Sequence, residues 1–444
     1  MQEAEARPQK VVSEDTSANP MPRSRGRRPK QIPPAHKRRS WFARLSPEVR
    51  VIGLVVVLAA VIGAIVVWPR AEQGPPQKLV VAAPADEAMR LALVTAQRSF
   101  TKAHKDIDVV FVDAPPEKMR AYEAMWRKGK SGVDLLIGAQ DELARWGKAG
   151  LLEPWDEFLA VRDVRLAHVG LEAGQVAGKQ AMLPVALELT CIKVSEPGDM
   201  APPLSLGGLA RDAHSIGAPG GPALGADWGA RWAAAVSLST ARAGGAEQTR
   251  AMPLAGVAEA LAWWRGGISA GWARKPTADG DNGAPPLLWG GHGGWLAGEK
   301  SSDSHLWLPP RAAERGTVCV VYGALLPRHS RRKEAARLFA ADLLLSQGFQ
   351  YALAQRTGLL PAAVGAWGKL KGPTWEALAH AAADSIPLSP ELRSPAVAER
   401  FAQVTRACLA GEIAPAAAAT ELARVPEAAE RPAGKHDQGP IKSH

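Results

Sequence analysis

The longest apolar stretch in the chain covers residues 49–68, where valine, leucine, isoleucine, alanine and glycine predominate and Arg50 is the one charged residue. Twenty residues of α-helix span about 30 Å, which is the thickness of the hydrocarbon core of a bilayer. The pattern therefore predicts a single transmembrane helix over residues 49–68.

Basic residues concentrate on one side of this stretch. Residues 1–50 hold 12 of the 54 Lys and Arg residues but only 5 of the 44 Asp and Glu residues, which leaves 42 basic and 39 acidic residues in the rest. The positive-inside rule places the N-terminus in the cytoplasm and everything after residue 68 in the periplasm or outside. We interpret residues 1–48 as a disordered tail facing anionic lipid, and we expect no nucleic-acid partner.

A cleaved signal peptide is the alternative interpretation of residues 49–68. The preceding basic segment is far longer than an ordinary n-region, and no A-x-A cleavage site follows Trp68. A lipoprotein is disfavoured because the first cysteine is Cys191. We therefore predict an uncleaved signal-anchor in a bacterial cytoplasmic membrane.

After a linker over residues 69–77, short apolar runs alternate with helical patterns. The predicted strands of this block are 78–83, 108–112 and 133–137, and the predicted helices are 86–104, 116–130 and 140–149. Strands that alternate with helices at this spacing indicate βαβ units and a parallel sheet.

A second block begins after Gly178. We predict strands over 180–194, 286–289 and 317–326, and helices over 228–243, 254–269, 331–345, 348–356, 374–383 and 394–410. About 350 ordered residues exceed what one core organises, so two lobes are expected. Residues 426–444 are predicted to be a disordered tail.

Several kinds of chemistry lack their motifs. We expect no G-x-S-x-G nucleophile elbow, no P-loop, no H-E-x-x-H helix and no EF-hand loop. Cys191, Cys319 and Cys408 are too few for a metal cluster, and we interpret them as buried thiols. The sequence therefore offers no candidate catalytic residue, and we expect a protein that is not an enzyme and that needs no metal and no cofactor.

The order of the elements resembles the extracellular solute-binding proteins of ABC importers, in the large maltose-binding-like class. The resemblance rests on the stretches LVVAAPADEAMRLALVTAQRSFTKAHKDIDVVFV, VDLLIGAQDELARWGKAGLLEPWDEF, GKQAMLPVALEL, GALLPRHSRRKEAARLFAADLLLSQGFQYALAQRTGLLP and AERFAQVTRACLAGEIAPAAAATEL.

That resemblance implies a two-lobe α/β fold of the periplasmic-binding-protein type II kind over residues 78–425, with a central hinge. Lobe 1 would comprise about 78–187 and 311–362, and lobe 2 about 188–310 and 363–425. A small solute, expected to be a carbohydrate, would bind between the lobes for delivery to an ABC permease.

Candidate ligand contacts come from two arguments. Ligands of open α/β sheets bind beyond the carboxyl ends of the strands, which selects Asp86 and Gln140. For Asp86 the N-cap of the following helix is the favoured alternative. Glu188 matches a ligand-contacting acid of the family, although a hinge salt bridge is an equal alternative for a carboxylate in so apolar a segment.

Aromatic residues supply the other candidates. The chain has 15 Trp but only 3 Tyr and 7 Phe, and flat aromatic faces suit sugar rings as well as cores. Trp228 and Trp295 match segments where carbohydrate-binding relatives place stacking aromatics. Tyr322 lies on a late strand that is expected to end near the cleft. His292, in a glycine-rich turn that could hold an anion, is expected at the surface or the cleft rim.

The chain departs from the family at one point after the hinge. The usual Tyr-Asn-Lys is replaced by Cys191, Ile192 and Lys193. A tethered sensor or scaffold that keeps the binding fold without transport is therefore the alternative function.

Overall fold

The computed structural model describes Leu58 and residues 76–83, 86–139, 142–195, 201–217, 222–226, 254–275, 287–293, 295–297, 305–308, 317–388 and 395–430. All of these except Leu58 belong to Gln73–His444, the second of the two units into which the chain divides. Apart from Leu58, the predicted tail and the predicted anchor lie outside the described residues. None of the helices that are described is long and apolar enough to cross a membrane.

The strands have the following bounds. They are β1 (Gln77–Ala83), β2 (Ile107–Asp113), β3 (Leu135–Ala139), β4 (Gln175–Val176), β5 (Lys179–Gln180), β6 (Leu183–Val194), β7 (Leu224–Ala226), β8 (Leu287–Gly291), β9 (His305–Trp307), β10 (Val318–Leu325), β11 (Leu360–Pro361) and β12 (Ile386–Pro387).

The helices are interspersed with these strands. They are α1 (Glu87–Ala103), α2 (Pro116–Arg127), α3 (Leu143–Lys148), α4 (Asp156–Ala160), α5 (His168–Gly174), α6 (Leu206–Gly217), α7 (Leu254–Ala270), α8 (Lys333–Phe339), α9 (Gln347–Thr357), α10 (Pro373–Ala383), α11 (Pro395–Ala410) and α12 (Pro415–Glu430). A π-turn, Ala340–Leu344, follows α8, and a 3₁₀-helix, Val364–Lys369, precedes α10.

The main sheet is mixed rather than wholly parallel. Its strand order is β2-β1-β3-β10-β6-β8-β7, with β11 and β9 attached to β6 and β12 attached to β10. The predicted βαβ units are confirmed, because β1 pairs in parallel with both β2 and β3. Strand β10 pairs antiparallel with β3 on one side and with β6 on the other.

Strands β6 and β10 are long and change partners along their length. Residues 183–189 of β6 pair with β10, whereas Thr190–Val194 pair with β8. Strand β10 pairs with β12 at Val318 and Cys319, and it pairs with β3 only from Tyr322 onward. These two strands therefore connect the β1–β3 part of the sheet with the β7–β8 part.

Three hydrophobic cores pack on this sheet. The first core includes Leu79, Val81, Leu93, Ala324 and Phe339. The second core includes Ile192, Trp264, Val318, Val320 and Phe401. The rear core includes Leu136, Leu187, Cys191, Cys319 and Val321. Since successive residues of a strand point to opposite faces, β10 contributes alternately to the rear core and to the other two.

Two predicted helix bounds need correction. The predicted helix 331–345 is an α-helix only over Lys333–Phe339, and it then widens into the π-turn. The predicted tail from residue 426 begins inside α12, which continues to Glu430. The sequence Glu-Ala-Ala-Glu that ends this helix consists of strong helix formers, which explains the extension.

Candidate functional site

The polar centre of the sheet is a contact between Tyr322 and Glu188. The hydroxyl of Tyr322 donates a hydrogen bond to Oε2 of Glu188 across 3.1 Å. Glu188 lies opposite Val320 in the β6–β10 register and is only 8% exposed. Burying a carboxylate costs several kcal/mol unless hydrogen bonds or charges compensate, so this hydrogen bond is part of what keeps Glu188 in place.

Tyr322 occupies the gap between two cores. It is half-buried and packs against the first core and against the second core. The rear core, by contrast, runs continuously behind this position through Val321 and Leu187. The sheet face that carries Glu188 and Tyr322 therefore has polar groups between the first and second cores.

The loop after β8 covers Glu188. A Cβ atom added to Gly293 would lie 2.8 Å from Oε1 of Glu188 and 2.7 Å from Cδ2 of Leu359, so no larger residue fits there without displacement. From the sequence, this loop was predicted only to be a glycine-rich turn. The structure shows that Gly293 serves close approach of the backbone to the carboxylate.

His292 holds this loop against β6. The backbone N–H of Leu189 donates to His292 Nδ1 across 2.9 Å, and the backbone N–H of His292 donates to the Leu189 carbonyl across 3.1 Å. Nδ1 of His292 also lies 3.2 Å from the Leu189 carbonyl oxygen, so the ring contacts both backbone groups of Leu189. The expectation of a surface position is wrong, since His292 is 0% exposed and satisfies backbone groups of a buried strand.

Two thiols lie in the rear core near the carboxylate. Burial raises the pKa of the Cys191 thiol, and the nearby Glu188 carboxylate and Cys319 raise it further. Burial also raises the pKa of Cys408, against the opposing charge of Arg265. All three thiols are buried, as predicted.

The structure describes two of the other predicted ligand contacts, Asp86 and Trp295. Oδ1 of Asp86 accepts from the backbone N–H of Met89 across 2.7 Å, so Asp86 serves as the N-cap of α1. Trp295 is half-buried, donates its backbone N–H to the His292 carbonyl across 3.2 Å and packs against the rear core. Gln140 and Trp228 lie outside the described residues.

The expected absence of a G-x-S-x-G pattern is wrong, although the pattern that occurs does not form a nucleophile elbow. Residues 267–271 read Gly-Ile-Ser-Ala-Gly, but Ser269 is exposed near the end of α7, whereas a nucleophile elbow needs a strand-to-helix turn. Within the described part of the chain, no group of three His, Cys, Asp or Glu side chains is arranged to hold a metal ion.

Comparison with known proteins identifies the class. A family profile described as bacterial extracellular solute-binding protein matches residues 82–351. The chain belongs to this family. A search of curated proteins gave no match.

Solved structures match this solute-binding protein over most of its length. The GacH receptor of Streptomyces glaucescens, solved unliganded and with acarbose, superimposes with a TM-score of 0.64 at 16% identity, covering 80% of this chain and 97% of its own. The cyclic α-maltosyl-1,6-maltose binding protein of Arthrobacter globiformis gives 0.63 at 16% identity, covering 80% and 98%. The sugar-binding protein MalE of Xanthomonas citri gives 0.63 at 16% identity, covering 79% and 97%.

These matches establish the α/β fold of the maltose-binding-like periplasmic proteins for this solute-binding protein. The family and these neighbours are binding proteins, not enzymes.

Proposed function

We propose that the chain is a membrane-anchored extracytoplasmic receptor that captures a small solute, of the carbohydrate class, between two lobes and presents it to an ABC-type importer. The single observation that carries this proposal is the polar contact of Glu188 and Tyr322 between the first and second cores. The sugar-binding relatives with the same fold support the carbohydrate class.

We propose that the two lobes correspond to the first and second cores on this sheet face. We assign lobe 1 to the first core and lobe 2 to the second core, with β6 and β10 as hinge strands. Trp375 and Leu378 of α10 pack in the rear core together with Trp146. We therefore propose that the chain returns to lobe 2 at β12 and not at residue 363.

The proposed ligand contacts combine polar and flat apolar groups. Glu188 and Tyr322 offer a carboxylate and a hydroxyl, which suit the hydroxyl groups of a sugar. Trp295 and Trp228 are proposed to stack on sugar rings. Gln140 and Asp86 are proposed as further hydrogen-bonding groups, with Asp86 using the carboxylate oxygen that does not cap α1.

Ligand binding would stabilise the closed arrangement of the lobes. A ligand shifts such an equilibrium only by the difference between its affinities for the closed and open forms. A solute held by groups on both sides of the hinge has that difference, because the contacts are completed only when the lobes meet.

The anchor is proposed from the sequence of residues 49–68 and their basic N-terminal flank. It would keep the receptor at the outer face of the cytoplasmic membrane, where an importer's permease lies. The family description, extracellular solute-binding protein, agrees with this side of the membrane.

A tethered sensor without transport is the second candidate, and one observation favours it. Cys191 and Ile192, which stand where the family usually has Tyr and Asn, are both 0% exposed and apolar. Two polar groups of the usual site are thus missing. Genes for a permease and an ATPase beside this gene would favour the importer, and a neighbouring kinase gene would favour the sensor.

A thermal-shift screen tests the proposed function. A fragment covering residues 74–430 is heated with sugars, polyols, amino acids and oxyanions in separate wells. A ligand at about 100 times its dissociation constant adds about 2.7 kcal/mol to the free energy of unfolding and raises Tm by a few degrees.

The variants decide where a hit binds. The shift should be lost in Glu188→Gln and Trp295→Ala and kept in Lys369→Ala, an exposed residue outside the proposed site. A sugar shift that survives both site variants would place the ligand elsewhere. A folded protein that responds to none of the compounds would contradict solute capture.

A further inference from the structure

The surface at the amino-terminal ends of β1, β2 and β3 is strongly basic, and we call it the basic edge. This edge consists of the start of β1, the α1–β2 turn, the α2–β3 turn, the end of α3 and the loop after β10. The exposed basic residues in these segments are Lys78, Lys102, Lys105, Arg127, Lys128, Lys130, Lys148, Arg328, Arg331 and Arg332. The exposed acidic residues in the same segments are Asp106, Asp108 and Glu334.

Hydrogen bonds join these segments into one surface. Nη1 of Arg332 donates to Oε1 of Gln77 across 3.4 Å, and the backbone N–H of Gln77 donates to the Asp106 carbonyl across 2.6 Å. Nη1 of Arg328 donates to the Gly150 carbonyl across 3.2 Å. The loop after β10 therefore lies beside both the first residue of β1 and the end of α3.

Hydrogen bonds of Ser330 also hold the loop after β10 in place. The hydroxyl of Ser330 donates to Oδ1 of Asp134 across 2.9 Å, while the backbone N–H of Arg332 donates to the Ser330 hydroxyl across 3.1 Å. Ser330 is buried although its neighbours are exposed. These hydrogen bonds fix the backbone of the loop, while the side chains of Arg331 and Arg332 stay exposed.

Some cations near this edge are already neutralised. Lys333 pairs with Glu153 across 2.9 Å, and Arg337 pairs with Glu334 across 3.1 Å. Arg127 pairs with Glu123 across 2.8 Å. The contacts of Arg328 and Arg332 are different, because a carbonyl and an amide oxygen orient a guanidinium without cancelling its charge.

Strand β1 begins at this edge and follows the apolar stretch closely in the sequence. Eight residues, 69–76, separate Trp68 from the start of β1 at Gln77. Fully extended, they reach at most about 29 Å. If residues 49–68 span the membrane, Gln77 is held within that distance of the bilayer surface.

We propose that this basic edge rests on the anionic lipid surface from which the chain emerges, and that it orients the tethered receptor on the membrane. The inference deepens the proposed function and rests on the proposed anchor. Basic residues near an anionic bilayer are attracted to its headgroups, and the attraction decays within about one Debye length, roughly 10 Å at 0.1 M salt. A short tether keeps the edge within reach, so weak individual attractions act together.

The orientation has a functional consequence. Strands β1, β2 and β3 run parallel and start at or near this edge. Their carboxyl ends, where Asp86 follows β1, lie on the side opposite to it. A receptor seated on its basic edge would keep that end of the sheet away from the lipid.

Lysine labelling of the full chain on vesicles tests the proposal. The protein is reconstituted into vesicles of phosphatidylcholine alone, or of phosphatidylcholine with 30% phosphatidylglycerol, about the anionic fraction that gives a strong surface potential. A membrane-impermeant acylating reagent modifies the outward-facing lysines, and mass spectrometry quantifies each site.

We expect Lys102, Lys105, Lys128 and Lys130 to be labelled at least threefold more slowly on the anionic vesicles. Lys369 and Lys371, exposed on the segment before α10, serve as internal controls and should not change. Raising NaCl to about 0.5 M should remove the protection by screening. The double variant Arg331→Glu/Arg332→Glu should lose it, whereas Lys369→Glu/Lys371→Glu should keep it, with circular dichroism confirming the fold of both.

The outcomes separate the two proposals. Equal labelling on both vesicles, with the protein still bound to them, overturns the lipid-facing edge and leaves the anchor intact. Protection that is the same on neutral and anionic vesicles overturns it too, because charge then plays no part. Failure to associate with either vesicle contradicts the anchor on which the inference rests.

Discussion

Tyr322 and Glu188 meet at the point where the two central strands of the sheet change partners. Tyr322 is the first residue of β10 to pair with β3, and Glu188 lies two residues before β6 turns to β8. Their hydrogen bond of 3.1 Å therefore links the two strands that connect the first and second cores.

Removal of the Tyr322 hydroxyl should destabilise the protein. Tyr322→Phe leaves a buried carboxylate without one of its donors, and we expect a loss of about 1–3 kcal/mol in the free energy of unfolding. Tyr351→Phe is the matched control, because Tyr351 is 38% exposed, and it should change stability by less than about 0.5 kcal/mol. Urea unfolding followed by circular dichroism measures both. Equal values for the two variants would contradict a buried hydrogen bond at Tyr322.

Glu123, in α2, is predicted to stabilise the fold at neutral pH. Burial favours the neutral acid, but hydrogen bonds from Arg127 and Trp146 and the charge of Arg145 outweigh burial and lower the pKa of Glu123. Oε2 lies 2.6 Å from Arg145 Nη2 and 3.1 Å from Trp146 Nε1. Since both arginines are about half exposed, we expect Glu123→Gln to cost about 1–2 kcal/mol rather than the full value of a buried pair.

The stabilisation by Glu123 should depend on pH in a definite direction. A carboxyl group with a lowered pKa in the folded state stabilises the fold above its unfolded pKa, near 4.5, and this contribution is lost as the pH falls through the folded value. The difference between wild type and Glu123→Gln should therefore be largest near pH 7 and shrink below about pH 4.5. Glu334→Gln, at a side chain 85% exposed, should differ little from wild type at any pH.

Two adjacent glycines of α7 should respond oppositely to alanine. A Cβ on Gly267 would lie 2.4 Å from the ring of Trp272, whereas a Cβ on Gly266 meets nothing within 4 Å. We expect Gly267→Ala to cost about 1–3 kcal/mol through overpacking. Gly266→Ala should gain about 0.5–1 kcal/mol, because alanine is the better helix former. Thermal unfolding of both variants measures the contrast, and an equal change in Tm would refute it.

The three thiols should be protected in the native state. Cys191, Cys319 and Cys408 are each 0% exposed, and burial raises the pKa of Cys191 and Cys408, which lowers the thiolate fraction. We expect their reaction with a thiol-specific disulfide reagent at pH 8 to be at least ~100-fold slower than in 6 M guanidinium chloride, since it requires local opening. Rapid titration of any one thiol in the folded protein would show that the corresponding core is open to solvent.

Local patterns in the sequence predicted much of the secondary structure. Strand β1 and helix α1 were predicted within one residue of their observed bounds, because apolar alternation, helical spacing and the capping Asp86 all agree there. The widening of the chain at Ala340–Leu344 was not predicted, since π-turns are rare and a single turn is too short to change the helical pattern of the segment. All the ligand contacts stay predictions: Asp86, Gln140, Glu188, Trp228, Trp295 and Tyr322.

The sequence by itself determined the alternation of strands and helices, the order of elements that resembles solute-binding proteins, and the basic flank of the apolar stretch. These are properties of neighbouring residues, and neighbouring residues are what periodicity and composition report. The tertiary structure alone decided that Tyr322 reaches Glu188, 134 positions away in the chain. It also decided that His292 is buried against Leu189 and that five separate segments form one basic edge, because such contacts depend on strand register and not on local sequence.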